Sequence, residues 1–207
     1  MNVYLYVLDT LADWEIGYLT AELNSKRYFK NKNDDCKIVK VGASKDTIKT
    51  MGGMSIKPDI LIGEISFKKN DILILPGGDT WLEEKNMEIL SYAKELINNG
   101  YNVAAICGAT VGLAKAGVLD KKKHTSNAKD FLKMICPEYR GENKYIEKPA
   151  VADENLITAS GLGALEFAFE VIKMLNVFKS ETLESWYKLY TIREAEYFYS
   201  LMSSIAE

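Results

Sequence analysis

Asp71-Ile72-Leu73-Ile74-Leu75-Pro76-Gly77-Gly78 is an apolar run that stops at a proline and two glycines. Four consecutive large aliphatic residues without polar alternation fit a strand covered on both faces, as in a parallel sheet. The glycines let the backbone turn without a Cβ clash. The same signature recurs on either side. Val3 to Leu8 and Cys36 to Val41 read as strands upstream, and Asn102 to Ile106 and Leu156 to Ala159 as strands downstream. Helical rhythms lie between them. One carries Ile16, Leu19 and Leu23, with Asp13 placed to cap it; another runs from Glu83 to Asn99 with Ile89, Ala93, Leu96 and Ile97 on one face. Ala109 to Ala116 and the stretch after Gly163 to about Leu175 supply two more. Strands alternating with helices predict an α/β sandwich around a mostly parallel sheet. Met51-Gly52-Gly53-Met54 predicts a hairpin-like excursion, and Lys26 to Asp35 a surface loop.

Composition narrows the function classes. At 207 residues and 47% hydrophobic, the chain fills one sizeable core and is neither disordered nor fibrous. Its net charge is −3, and its only arginines are Arg27, Arg140 and Arg193, so no nucleic-acid partner is expected. Cys36, Cys107 and Cys136 are too scattered for a disulfide framework, and His124 alone makes no multi-histidine metal site. No metal or cofactor is expected. No apolar run reaches the roughly 20 residues of a membrane span, and the start of the chain reads as a strand, not a signal peptide. The expected setting is the cytoplasm, with reduced thiols and no membrane partner.

Residues 178–207 form a separate extension after an α/β domain of residues 1–177. Leu183, Trp186, Tyr187, Tyr190, Glu194, Tyr197, Phe198 and Leu201 follow the rhythm of one face of a single helix. So aromatic a stripe packs either on its own domain or on a second subunit, and a homodimer is expected.

Chemistry concentrates at Ala104-Ala105-Ile106-Cys107-Gly108-Ala109-Thr110. Reactive groups in a parallel α/β sheet gather where strands end and helices begin. The small residues around Cys107 suit a tight strand-to-helix elbow. A thiol at a helix N-terminus meets free N–H groups and the positive dipole end, which predicts a lowered pKa. The Gly108 and Gly78 amides are placed to hold an oxyanion beside the sulfur. Cys36, inside a strand, reads as packing, and Cys136, before Pro137, has no assigned role.

Leu75-Pro76-Gly77-Gly78, Ala104 to Gly108, Ala114-Lys115-Ala116-Gly117-Val118-Leu119 and Thr158-Ala159-Ser160-Gly161, in that order, resemble the ThiJ/PfpI family. That family sits in the class I glutamine amidotransferase-like superfamily, with the Parkinsonism-associated deglycase among its members. The resemblance covers about Met1 to Val177 and implies a flavodoxin-like three-layer sandwich with its nucleophile elbow at Cys107. It also implies an acid from the first strand–helix loop, matched by Glu15, which lies beside the sulfur, donates a hydrogen bond to the thiolate when protonated, and can shuttle protons in catalysis. Asn127, Gly77 and Asp13 are expected to line a small-molecule pocket.

The chain departs from the family at the histidine. Gly108 occupies one of the usual histidine positions and Asn127 the other. His124 lies three residues before Asn127, about 10 Å along an extended chain and on its opposite face. Two placements stay open for it: paired with Cys107 as a catalytic group if the segment bulges, or at the surface beside Lys121-Lys122-Lys123. No histidine follows residue 124, so the His-x-Glu pair of true glutamine amidotransferases is absent. The expectation is a slow cysteine-dependent enzyme acting on a small carbonyl or amide substrate, glyoxalase/deglycase-like or amidase-like. The alternative is a non-catalytic redox sensor or metabolite binder. An AraC-type regulator is not expected, because about thirty residues after the α/β domain are too few for a helix-turn-helix pair with its supports.

Overall fold

A computed structural model describes residues 1–206 of the chain. In sequence order the main elements are β1 (Asn2–Tyr6), α1 (Asp13–Ser25), β2 (Lys37–Gly42), β3 (Ile48–Lys49), β4 (Ser55–Ile56), β5 (Ile60–Leu61), β6 (Ile72–Leu75), α2 (Met87–Asn98), β7 (Asn102–Ile106) and α3 (Gly108–Lys115). They continue with α4 (Lys129–Ile135), β8 (Ala150–Asp153), β9 (Leu156–Ala159), α5 (Ala164–Leu175), α6 (Ser180–Thr191) and α7 (Ala195–Ala206). Among the described residues, seven strands form one sheet in the order β5-β2-β1-β6-β7-β9-β8. Every pairing in it is parallel except that of the edge strand β8 with β9.

The apolar runs explain the centre of this sheet. Ile72 through Leu75 and Val103 through Ile106 are entirely buried, as strands covered on both faces must be. Helices α1 and α5 pack together on one side, while α2 and α3 pack against β7 on the other. The glycine pair between Thr50 and Met54 turns β3 into β4, with Gly53 at φ 82°.

Two expectations need correction. The C-terminal stripe is not a single helix: it breaks at Ile192–Glu194, where Arg193 takes a left-handed φ of 65°, and continues as α7. Neither is Asp13 the cap of α1. Ala12 holds that position without a side-chain bond, and Asp13 is the first helical residue. Its Oδ2 instead accepts the Gly52 N–H at 2.6 Å, tying the β3–β4 turn to α1.

The extension lies against its own chain. Trp186 is fully buried and edge-on to Tyr18 and Phe178. Its indole N–H donates at 3.0 Å to Glu22, a buried carboxylate on α1 that also pairs with the Arg27 guanidinium. Tyr187 donates to Glu166 on α5 at 2.9 Å.

Candidate active site

Three strand ends and one helix start converge on Cys107. The Cys107 backbone has φ 56° and ψ −122°, a strained conformation for a residue with a side chain, of the kind that persists only where its surroundings impose it. The clamps are visible. Its N–H donates to Ala159 O at 2.9 Å, tying it to the end of β9. Its carbonyl accepts the Thr110 hydroxyl at 2.6 Å, and that hydroxyl also meets the Ser126 hydroxyl at 2.7 Å. The strain turns the half-buried sulfur out at the carboxyl edge of the sheet.

Glu15 stands opposite, completely buried in the first turn of α1. Its Oε2 accepts the Gly77 N–H at 2.7 Å. A Cβ on Gly77 would lie 2.6 Å from Oε1, so this close approach requires glycine. Oε1 itself is buried without a partner of good geometry. The Cys107 thiol is the neighbour able to share a proton with it. Burial pushes the Glu15 carboxyl above the ordinary carboxylate range, against the opposing pull of Cys107 and the Gly77 amide.

The thiol does not have the lowered pKa that its place at a helix N-terminus suggests. Burial first, and then the facing Glu15 carboxylate, push it up to about 11, although the Asn127 and Gly108 N–H groups pull downward. Burial outweighs the local dipole and amides, and the facing carboxyl adds to it. Thiol and carboxyl are one coupled pair that shares a proton, each held above its ordinary value by burial first.

Asn127 fills the place of the family histidine. Its Nδ2 lies 3.3 Å from Cys107 Sγ, while its Oδ1 accepts the Gly161 N–H at 2.8 Å. The Gly161 bond fixes which end of the amide faces sulfur. Asn127 therefore donates to a thiolate but takes no proton from it. Asn127→Ala is expected to weaken the hold on a Cys107 thiolate by about 1.5–3 kcal/mol, the worth of a hydrogen bond to a charged group. It should also raise the thiol pKa further, read from the pH dependence of iodoacetamide alkylation. An unchanged alkylation profile would remove Asn127 from the site.

His124 is not brought to Cys107, and it is not at the surface either. It is fully buried, 2.7 Å from Lys122 O through Nδ1 and 2.6 Å from the Tyr139 hydroxyl through Nε2. A carbonyl only accepts, so Nδ1 carries the proton and Nε2 accepts from tyrosine. Burial holds its pKa down. With both nitrogens engaged, no lone pair is left for catalysis. The segment is held extended by a single bridge to Tyr145 and by the Thr125 N–H on the Thr158 hydroxyl, so it does not bulge.

Beside the sulfur opens a cleft of about 270 Å³, lined by Glu15, Gly78, Cys107, Gly108 and Asn127 at its base. A Cβ on Gly108 would run into the Gly78 carbonyl and lie 3.0 Å from Trp81, so the two turns meet through glycine. Gly77 and Asp13 do not line this cleft: Gly77 backs Glu15, and Asp13 anchors the β3–β4 turn, which brings Met51 to the rim. The sequence reading missed Trp14, Met51, Trp81, Leu82, Phe131 and Ile135 as walls. The period-3.6 signal of α4 could have found Phe131 and Ile135, whereas the loop residues leave no periodic trace. A larger concavity of about 500 Å³ near Met1, Asn70, Asn102 and Val177 lies at the opposite edge of the sheet and holds no nucleophile. Among the described residues no group of three or more His, Cys, Asp or Glu side chains is arranged to hold a metal. Nor is any described helix long and apolar enough to cross a membrane.

Known proteins resemble this chain in sequence and fold. Residues 1–174 match the model of the DJ-1/PfpI family. The chain is 53% identical over 204 residues to the "Uncharacterized protease YoaZ" of Bacillus subtilis, covering 99% of this chain and 97% of the relative. It is 30% identical over 142 residues to the "Glutathione-independent glyoxalase DJR-1.2" of Caenorhabditis elegans, covering 67% of this chain and 73% of the relative. A crystal structure of the thiJ/pfpI family protein from Bacillus anthracis superposes with a TM-score of 0.96 at 51% identity, covering 100% of this chain and 99% of that one.

Proposed function

The chain belongs to the DJ-1/PfpI family, and on that premise we propose that it is a cysteine-dependent enzyme in which Cys107 attacks a carbonyl carbon and Glu15 carries the proton. The observation behind this reading is the coupled pair itself: a buried carboxylate with one unpartnered oxygen facing a thiol in a strained elbow. As the Sγ–C bond forms, the thiol proton passes to Glu15 and the carbonyl π electrons move to oxygen. That oxygen sits where the Gly78 and Gly108 amides can stabilise it. With an aldehyde, Glu15 returns the proton to the oxygen and a hemithioacetal results. With an ester or amide, the tetrahedral adduct collapses, expels the leaving group and leaves a thioester for water to hydrolyse. The proton leaves during attack, so no standing thiolate is required, and the missing histidine is replaced by carboxylate base and amide donor.

A sensor that works by peroxide oxidation fits less well. The thiolate is the form that oxidises, and burial together with the facing Glu15 carboxyl holds the Cys107 pKa up.

The test is chemical. Wild-type protein mixed with methylglyoxal, and separately with p-nitrophenyl acetate, should show adduct mass on the peptide containing Cys107, with turnover. Cys107→Ala should lose adduct and turnover together, by at least about 10³-fold. Equal turnover in Cys107→Ala would end the proposal.

A further inference from the structure

The walls of the cleft say what kind of molecule carries the carbonyl. Trp14, Met51, Leu82 and Phe131 expose 56%, 42%, 43% and 38% of their surface around its mouth, and Ile135 and Val111 continue the apolar wall inward. On the other side of Trp14, a second hollow of about 280 Å³ shares Cys107 and Asn127 and ends at Leu162, which is 99% exposed. Large apolar side chains clustered around a reactive group are unlike isolated exposed ones, which need no explanation. The charges are as informative. Neither hollow is lined by a lysine, arginine or histidine, and the ionisable neighbours of Cys107 there are Glu15 and Asp79, both acidic. A substrate carboxylate in this cleft would lose its hydration without meeting a cation.

Resting on the nucleophile reading above, we infer that the site prefers neutral carbonyl compounds bearing one apolar arm, and discriminates against α-oxo acids. The arm lies along Trp14, Phe131 and Ile135 while the carbonyl sits over Cys107. A volume of about 270 Å³ is just under the usual range for drug-sized ligands, so it holds a single arm and not several residues of a peptide. For an ester substrate Sγ–C forms, the ester C–O bond breaks, and Glu15 passes the thiol proton to the departing alkoxide oxygen to give the alcohol. Water then releases the acid and restores the thiol.

Two measurements on the full-length protein test this. Along p-nitrophenyl acetate, butyrate and hexanoate, kcat/KM should rise by about fourfold per added methylene until the cleft is full. Independently of turnover, hexanamide should slow iodoacetamide alkylation of Cys107 at a concentration at least tenfold lower than either acetamide or hexanoate requires. In Phe131→Lys, a substitution at the exposed rim that adds a cation, the preference for hexanamide over hexanoate should shrink or reverse. A flat chain-length series, or equal protection by hexanoate and hexanamide in wild type, overturns the substrate class while leaving the nucleophile in place. Absence of any acyl adduct on Cys107, with protection by hexanamide intact, overturns the nucleophile reading and leaves the apolar neutral site standing.

Discussion

Glu15→Gln is expected to slow turnover by about 10²- to 10⁴-fold, the usual worth of a general base, while Cys107 alkylates faster at pH 7. The two readouts part because the carboxylate does two things. It accepts the thiol proton during attack, and its negative charge adds to burial in raising the thiol pKa. Glutamine keeps the shape and removes both. The thiol pKa then falls toward its ordinary value, more thiolate stands at neutral pH, and iodoacetamide reacts sooner. If alkylation slows together with turnover, Glu15 acts chiefly as a protonated donor to the thiolate. The pH profile separates them further. Wild-type turnover should rise through the raised pKa of Glu15, and that limb should vanish in Glu15→Gln. Stability follows with a definite sign. The native pKa of Glu15 is raised, so between the ordinary carboxylate range and that raised value the native state holds more protons than the unfolded chain, and stability falls as pH rises. Below this window wild type and Glu15→Gln should melt alike; above it the glutamine variant should melt higher.

Trp186→Ala carries the largest expected loss of stability, about 3–5 kcal/mol, or a fall in Tm of roughly 10 °C for a chain of this size. Trp186 is fully buried, it packs edge-on to Tyr18 and Phe178, and its indole N–H satisfies Glu22. Removing it opens a cavity and takes one donor from a buried carboxylate that retains Arg27. A loss under about 1 kcal/mol by urea unfolding would mean that the helix lies elsewhere in solution.

The sequence showed the centre of the sheet because strands buried on both faces leave an unmistakable mark, as in Ile72 to Leu75. It did not show β8 or β5: one is an antiparallel edge, the other a two-residue pairing, and neither needs an apolar run. The helix break escaped because Ile192-Arg193-Glu194 contains neither proline nor glycine, while the aromatic rhythm carries on across it. At the site, Cys107 and Glu15 were legible from strand ends and from the family resemblance. The placement of His124 was not, because its partners Tyr139 and Lys122 belong to distant or backbone groups that spacing cannot reveal. The rise of the thiol pKa was hidden for a related reason. A helix terminus is local and visible in sequence, whereas the opposing carboxylate arrives across 92 residues of chain, from Glu15 to Cys107.

Helix α1 joins two parts of the molecule that the family match separates. Glu15 lies in its first turn and Glu22 seven positions later, about two turns or roughly 10 Å along the axis, and both are buried. The first faces the sulfur and the second is gripped by Trp186, beyond the last matched residue, 174. A helix is stiff over that span. The tail is thus a lever arm fixed to the far end of the rod that aims the acid. A displacement of α6 large enough to shift α1 as a rigid rod would move the Glu15 carboxyl with it.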